Sequence, residues 1–296
     1  MNKDFYLMSE TATVFFDKRQ LKKEYSLNLN ECPVCGYKRF KHLFKHEGFH
    51  YRKCKKCTFI FVNPRLNDEG CKIWYNSNYY NAALETEYYI NQNKDYYYSI
   101  SLNKDYFIKA ADILKKIFIK KDMSLLDVGC GGGAFLSYLR DNYNLKNIQG
   151  VDLNDKAVDF ATNIRKLNVK KINVLDLARN HKFDLIVSME NIEHINNLSE
   201  FMITIDALIT KNGYLLITTP YTDKLAYTLY GLNSTHFCAP NHLNYFDINT
   251  ISLFLKKYNF EIIDKYIDSH TNRFDIITFI KNRLFRQDQV TCLPPD

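Results

Sequence analysis

The run Leu125-Leu126-Asp127-Val128-Gly129-Cys130-Gly131-Gly132-Gly133-Ala134 restricts this chain to few folds. Its first four residues suit a buried strand, its glycines a tight turn that tolerates positive φ, and Ala134 onward an amphipathic helix. A strand that passes through glycines straight into a helix opens a βαβ unit, and the sequence beyond keeps that rhythm. Short apolar runs fall at 124–129, 147–152, 171–176, 183–190 and 213–219, with amphipathic stretches at 134–142, 155–166 and 198–209 between them. A helix is expected at 249–259, then strands at 261–268 and 275–280 about the polar turn 269–273. The expectation is an α/β fold: a seven-stranded, mostly parallel sheet, helices on both faces, and an antiparallel last strand.

Three acids close the first three expected strands: Asp127, Asp152 and Asp176. In open α/β sheets ligands bind at the carboxyl ends of the strands. Gly129-x-Gly131-x-x-Ala134 also fits a dinucleotide fingerprint. The acids favour S-adenosylmethionine instead. Asp127 can pair with a cationic amino-acid moiety where a dinucleotide would bring pyrophosphate. Asp152 can accept both ribose hydroxyls, and Asp176 can cap the adenine amine.

Four of the eight cysteines form Cys32-x2-Cys35-x18-Cys54-x2-Cys57, the spacing of a two-knuckle zinc site. Each pair turns tightly enough to aim two sulfurs at one ion, and four thiolates leave no open position, so a structural zinc is expected. His42, His46 and His50 lie between the knuckles and are read as exposed or supporting residues, while Cys71, Cys130, Cys238 and Cys292 are read as ordinary thiols. Residues 1–66 carry 14 Lys+Arg against 6 Asp+Glu, and the remainder 26 against 27, so the whole basic excess surrounds the cysteines. Those cations offset the negative charge of a four-thiolate zinc centre; a nucleic-acid partner is the weaker reading.

No stretch approaches the ~18 apolar residues of a membrane span, and no leader pattern opens the chain, so a cytoplasmic protein is expected. The expected division is a ribbon over 1–66, a Tyr-rich helical cap over 67–120, and the α/β domain over 121–296 with an insertion at about 220–246. The cap holds Trp74, Tyr75, Tyr79, Tyr80, Tyr88, Tyr89 and Tyr96–Tyr98, then a helical pattern at Tyr106, Phe107, Ala110, Ile113, Leu114 and Ile117.

From Leu125 to about Ile195 the chain resembles a class I S-adenosylmethionine-dependent methyltransferase, which implies a Rossmann-like domain. The segments Gly150-Val151-Asp152 and Phe183-Asp184-Leu185-Ile186-Val187-Ser188-Met189-Glu190-Asn191-Ile192-Glu193-His194 carry that resemblance. Arg52–Cys57, Phe61-Val62-Asn63-Pro64-Arg65, Tyr79-Tyr80 and His242-Leu243-Asn244-Tyr245-Phe246-Asp247 resemble a bacterial subgroup with an N-terminal zinc ribbon, found in pathways that modify surface polysaccharides or natural-product sugars. The resemblance implies that Asp127, Gly129, Cys130, Gly131 and Gly133 hold the amino-acid side of the cofactor. Asp152 and Leu153 would hold ribose and adenine, Asp176 and Leu177 would flank the base, and Glu190 would face the methyl group. The acceptor would be a small molecule, a sugar or nucleotide-linked sugar, methylated on oxygen. A hydroxyl acceptor needs a base, for which the candidates are His242, His236, Glu190, Glu193 and His194. The fourth strand ends in Ser188-Met189-Glu190-Asn191 rather than Asn/Asp-Pro-Pro-aromatic, which argues against adenine or cytosine N-methylation. A guanine-directed ribosomal RNA methyltransferase, and a cofactor-binding scaffold without turnover, are the other readings.

Overall fold

The computed structural model describes residues 14–18, 20–78, 80, 110–112, 114, 122–222, 237–270 and 273–282. His236, Cys292, Tyr79, Tyr88, Tyr89, Tyr96–Tyr98, Tyr106, Phe107, Ile113 and Ile117 lie outside them.

The two Cys-x2-Cys turns flank a hairpin of β1 (Phe40–His46) and β2 (Phe49–Cys54), which turns at Glu47-Gly48. A third strand, β3 (Ile60–Val62), pairs with β2, and α1 (Asp68–Tyr75) follows, capped by Asn67 accepting from the Gly70 amide.

The glycine run divides β4 (Leu125–Val128) from α2 (Ala134–Tyr143). Then come β5 (Ile148–Asp152), α3 (Asp155–Asp159), β6 (Val169–Lys171), β7 (Phe183–Met189), α4 (Leu198–Leu208) and β8 (Ile209–Pro220). Every side chain of β4 is buried, as is most of β7, because helices cover both faces of the parallel strands. After β8 the described chain resumes at 237 and supplies β9 (Asn244–Tyr245), α5 (Ile248–Lys257), β10 (Phe260–His270) and β11 (Arg273–Asn282). Asn154, Asn197 and Asp247 cap α3, α4 and α5 through side-chain oxygens, and Asp247 with Thr250 closes a capping box.

The large sheet runs β6-β5-β4-β7-β8-β11-β10. Only β11 runs against its neighbours, pairing antiparallel with both β8 and β10, as the apolar rhythm led one to expect. The chain reverses direction of sheet growth between β4 and β7, and that switch point opens the crevice in which ligands of such sheets bind. One face packs against Phe201, Met202 and Ile205 of α4 and Ile251, Phe254 and Leu255 of α5. The other packs against Phe135, Leu136 and Leu139 of α2 and the helical residues Ala110, Ala111 and Leu114.

Two expected elements differ. The apolar stretch 171–176 is not a strand: β6 ends at Lys171, and Val174–Asp176 is a 3-10 turn. Asn173 causes this, its side-chain oxygen accepting from the Leu175 amide at 3.1 Å and offering the backbone a local turn in place of a ladder. The helix expected over 155–166 is α-helical only to Asp159 and then widens into a π turn at Phe160–Ile164.

The ribbon is joined to the α/β core rather than hung from it. β9, from the insertion after β8, pairs with β3 (Asn244 opposite Phe61, Tyr245 opposite Ile60), so the small sheet runs β9-β3-β2-β1. Cys32, Val34, Cys54, Phe59 and Phe61 share a buried cluster with α4 and α5. On its opposite side Phe49, Tyr51 and Val62 pack with Trp74, Phe237, Leu243 and Tyr245.

Candidate active site and cysteine centre

The glycine turn is shaped for a ligand. Gly129 sits at φ 73°, and a side chain there would meet Asn191 Oδ1 at 2.5 Å, so only glycine fits. Gly131, at φ 52°, has open space where its Cβ would be. Its amide donates to Asp152 Oδ2 at 2.8 Å, while Asp152 Oδ1 accepts from the Asn154 amide at 2.8 Å. The carboxylate thus ties the end of β5 to the turn after β4. Burial pushes its pKa upward against these backbone donors.

Asp127 is 3% exposed. No protein group among the described residues hydrogen-bonds it. Burial, and then the charge of nearby Asp152, raise its pKa from the ordinary 3.8 to about 8. A carboxyl group in that condition is an acid waiting for a cation. Cys130 is the thiol of this turn, and burial raises its pKa. Gly133 starts α2 in the left-handed conformation. Leu153 is 42% exposed. Asp176 and Leu177 lie on the turn beyond β6, Asp176 exposed, not at the strand end expected for them.

Across the crevice, β7 ends at Met189, and Glu190 takes φ 47° with its amide donating to the Thr218 carbonyl and hydroxyl. A left-handed glutamate at a strand end is strain of the kind that gathers at functional sites. The 3-10 turn Ile192–His194 then presents Glu193, 1% exposed, and His194. Thr219 Oγ1 donates to Glu193 Oε2 at 3.0 Å. His194 Nδ1 lies 2.7 Å from the Asn241 carbonyl, and its Nε2 lies 3.7 Å from Glu193 Oε1. Burial lowers the His194 pKa to about 4, so its ring is neutral at neutral pH. The His242 ring stands 4.8 Å from that of His194, edge to face. Glu193, His194 and His242 therefore converge, with the Glu190 backbone beside the His194 ring, while His236 lies outside the described residues.

Two residues with no motif of their own complete this wall. Tyr75, at the end of α1, accepts from Asn154 through its carbonyl at 2.9 Å and sets its ring 6.3 Å from that of His194. Its buried hydroxyl has no hydrogen-bond partner among the described residues. Arg65 is fully buried and donates to the carbonyls of Val62, Asn196 and Leu243 and to Asn244 Oδ1, at 3.0 to 3.3 Å. Tyr75 was legible only as one aromatic residue among many, and Arg65 only through the Asn-Pro-Arg run that it ends.

Elsewhere, Cys32, Cys35, Cys54 and Cys57 bring their sulfurs together, with Cys32–Cys57 and Cys35–Cys54 each at 3.6 Å. A tetrahedron with Zn–S bonds of about 2.3 Å has edges of about 3.8 Å, which these separations match. All four are free thiols. Backbone amides of Cys35, Tyr37 and Phe59 aim at the sulfurs of Cys32, Cys35 and Cys57, as thiolates require. His42 and His50 face each other 5.4 Å apart on the hairpin, away from the four sulfurs.

A family model described as "Methyltransferase domain" matches residues 102–265, more than half of the chain. The chain belongs to this methyltransferase-domain family. Among curated relatives, the ubiquinone biosynthesis O-methyltransferase of Rickettsia bellii (strain OSU 85-389) is 35% identical over 111 residues, covering 36% of this chain and 46% of that protein. That of Rickettsia typhi (strain Wilmington) is 31% identical over 115 residues, covering 37% and 46%. The chain thus spans just under half the length of these relatives. Among solved structures, magnesium protoporphyrin IX methyltransferase from Synechocystis PCC 6803 with bound SAH superposes with a TM-score of 0.51 at 14% identity, covering 71% of this chain and 97% of that one. The [4+2]-cyclase SpnF superposes at 0.50 with 15% identity, covering 60% and 82%. These two likenesses are of fold: a Rossmann-like sheet. Among the described residues no helix is long and apolar enough to cross a membrane.

Proposed function

We propose that this methyltransferase-family chain moves a methyl group from S-adenosylmethionine to a hydroxyl of a small molecule. The observation that carries the reading is Asp127, a buried carboxyl with no hydrogen-bond partner among the described residues, beside an open glycine turn. It complements the ammonium of the methionyl moiety, as a dinucleotide's pyrophosphate would not. Gly129, Cys130, Gly131 and Gly133 give the moiety its backbone cradle. Asp152 takes the ribose hydroxyls, with Leu153 against the adenine and Asp176 and Leu177 at the base's edge. Glu190 faces the methyl group.

The step is an in-line displacement: the acceptor oxygen forms a bond to the methyl carbon as the carbon–sulfur bond breaks, leaving S-adenosylhomocysteine. The hydroxyl proton passes to His242, whose imidazole stands at the acceptor side of the crevice against a neutral His194. The relatives' printed name supports methylation on oxygen in ubiquinone biosynthesis. The ribbon resemblance supports a sugar or nucleotide-linked sugar, and we take the sugar as the acceptor class because the ribbon strand joins the acceptor wall. We further propose that the four cysteines hold a structural zinc.

A second reading has its own observation. On the hairpin Lys41 stands opposite Lys53, His42 opposite Arg52 and Lys45 opposite His50. The Lys41–Lys53 pair sets like charges face to face and opposes pairing, burial and the nearby cations push the His50 pKa down, and a phosphate-bearing partner such as ribosomal RNA would relieve the lysines.

Radiolabelled methyl transfer tests both. Panels of nucleotide sugars, of phenolic quinone precursors and of ribosomal RNA should give turnover with the sugars. Turnover on RNA alone, falling steeply with salt, would replace the leading reading. With the sugar acceptor in hand, His242→Ala should cut kcat at least about 100-fold with cofactor affinity unchanged. An unaffected kcat removes the base role.

A further inference from the structure

We propose that Glu193, His194 and His242 form a binding site for a first-row divalent cation, distinct from the cysteine centre and placed on the acceptor side of the crevice. Their ligand atoms all lie within 4.8 Å of one another, with His194 Nε2 3.7 Å from Glu193 Oε1. Such spacing leaves room for one ion between them. What separates a ligand set from three polar neighbours is how each is held. His194 Nδ1 meets the Asn241 carbonyl at 2.7 Å, a contact that requires the proton on Nδ1 and leaves the lone pair on Nε2, 3.7 Å from Glu193 Oε1, with the Glu190 backbone also at the ring. Fixing one ring nitrogen on a carbonyl so that the other can ligate is the usual outer support of a metal-bound histidine. Glu193 is fastened in the same manner, its Oε2 receiving the Thr219 hydroxyl at 3.0 Å and leaving Oε1 turned toward His194.

The backbone fixes the third member. The Leu243 amide, next in sequence to His242, donates to the Glu193 carbonyl at 2.8 Å. Asn244 Nδ2 donates to the Ile195 carbonyl at 2.7 Å and to that of Ile192 at 3.2 Å. The 3-10 turn and the insertion are thus laced together at the three side chains. Two imidazoles and one carboxylate suit zinc, manganese, iron(II), cobalt or nickel better than magnesium or calcium. Three protein ligands leave positions open for water or an acceptor oxygen.

The inference deepens the methyl-transfer reading and rests on it. With the ion bound, His242 gives its lone pair to the metal, and the ion takes over the activation of the acceptor hydroxyl by lowering its pKa so that the proton is lost to solvent; a sugar diol or a catechol could bind through both oxygens.

The test uses the full-length protein with its cysteine centre zinc-loaded. Mn²⁺ is titrated while the free-ion signal is followed by electron paramagnetic resonance, and cofactor affinity is measured on the same samples by calorimetry. One Mn²⁺ should bind per chain. His242→Ala and Glu193→Gln should each weaken it at least tenfold, with S-adenosylmethionine affinity held within threefold. Absence of Mn²⁺ binding by the wild type, with competing Co²⁺ and Zn²⁺ also failing to bind beyond the cysteine centre, overturns the site. So does binding that survives in His242→Ala, a half-buried position whose loss spares the core, whatever becomes of Glu193→Gln. Intact Mn²⁺ binding in a protein that does not bind S-adenosylmethionine would sink the methyl-transfer reading and leave the metal site standing.

Discussion

Asp127 is a buried carboxyl on β4, and it sets a pH dependence that can be measured. Its folded pKa, about 8, stands above the ordinary 3.8. Between those values the ligand-free fold holds a proton that the unfolded chain has released, so this residue's contribution to stability declines as pH rises through that window and levels off above it. A bound ammonium would restore the carboxylate. Binding of S-adenosylmethionine at pH ~7 should therefore expel close to one proton, and well above pH ~8 almost none. Calorimetry in buffers of unequal ionisation enthalpy reads this directly; heats independent of the buffer at neutral pH would remove Asp127 from the cofactor. Asp152 gives the companion expectation. On the proposed cofactor placement Asp152→Ala loses both the diol acceptor and the bond that holds the Gly131 amide, and affinity should drop tenfold or more, about 1.4 kcal/mol. An unchanged dissociation constant would show that the ribose lies elsewhere. The strand-end placement of both acids was legible in the sequence because each follows an apolar run shortly before a glycine or a capping residue. The coupling of Glu193, His194 and His242 was not, since it depends on where a segment about fifty residues later folds back.

Among elements, periodicity read the sheet well and failed where a side chain competes with the backbone. Asn173 turns the chain after β6, and the apolar residues that suggested a strand instead bury Val174 beneath the sheet. Similarly, β9 is two residues long and shows no alternation of its own. It is a strand because β3 presents a free edge for it, which no local pattern encodes. The cysteine knuckles were legible from spacing alone, yet their burial against α4 and α5 was not. That burial changes what a lost ligand should do. Cys54→Ser should reduce zinc below one equivalent per chain by elemental analysis. It should also lower the melting temperature of the single main transition, because Cys54 and Phe59 belong to the same buried cluster as Phe201 and Phe254. Two separate transitions, with the second unmoved, would show that the ribbon melts independently of the sheet.

At the scale of the molecule, Arg65 is the pin between the parts. Its guanidinium is wholly buried, and burial lowers its pKa to about 10. Its four oxygen partners come from β3, from the loop before α4 and from the segment that carries His242. Arg65→Met keeps much of the volume and leaves those oxygens without donors, so urea unfolding should show a loss of at least about 3 kcal/mol. A loss under about 1 kcal/mol would mean that water replaces the guanidinium at little cost. The span of this clamp bears on how the chain is made. Arg65 and Leu243 stand 178 positions apart in sequence. As the polypeptide leaves the ribosome, β1, β2 and β3 emerge with the edge of β3 bare, and the strand that covers it follows only after β4 to β8 have been translated. Throughout that interval each nascent molecule displays an adhesive strand edge. The lysines at positions 41, 45, 53, 55 and 56 crowd the same small sheet and its second knuckle, and their mutual repulsion would keep neighbouring nascent chains on one messenger from pairing before β9 arrives.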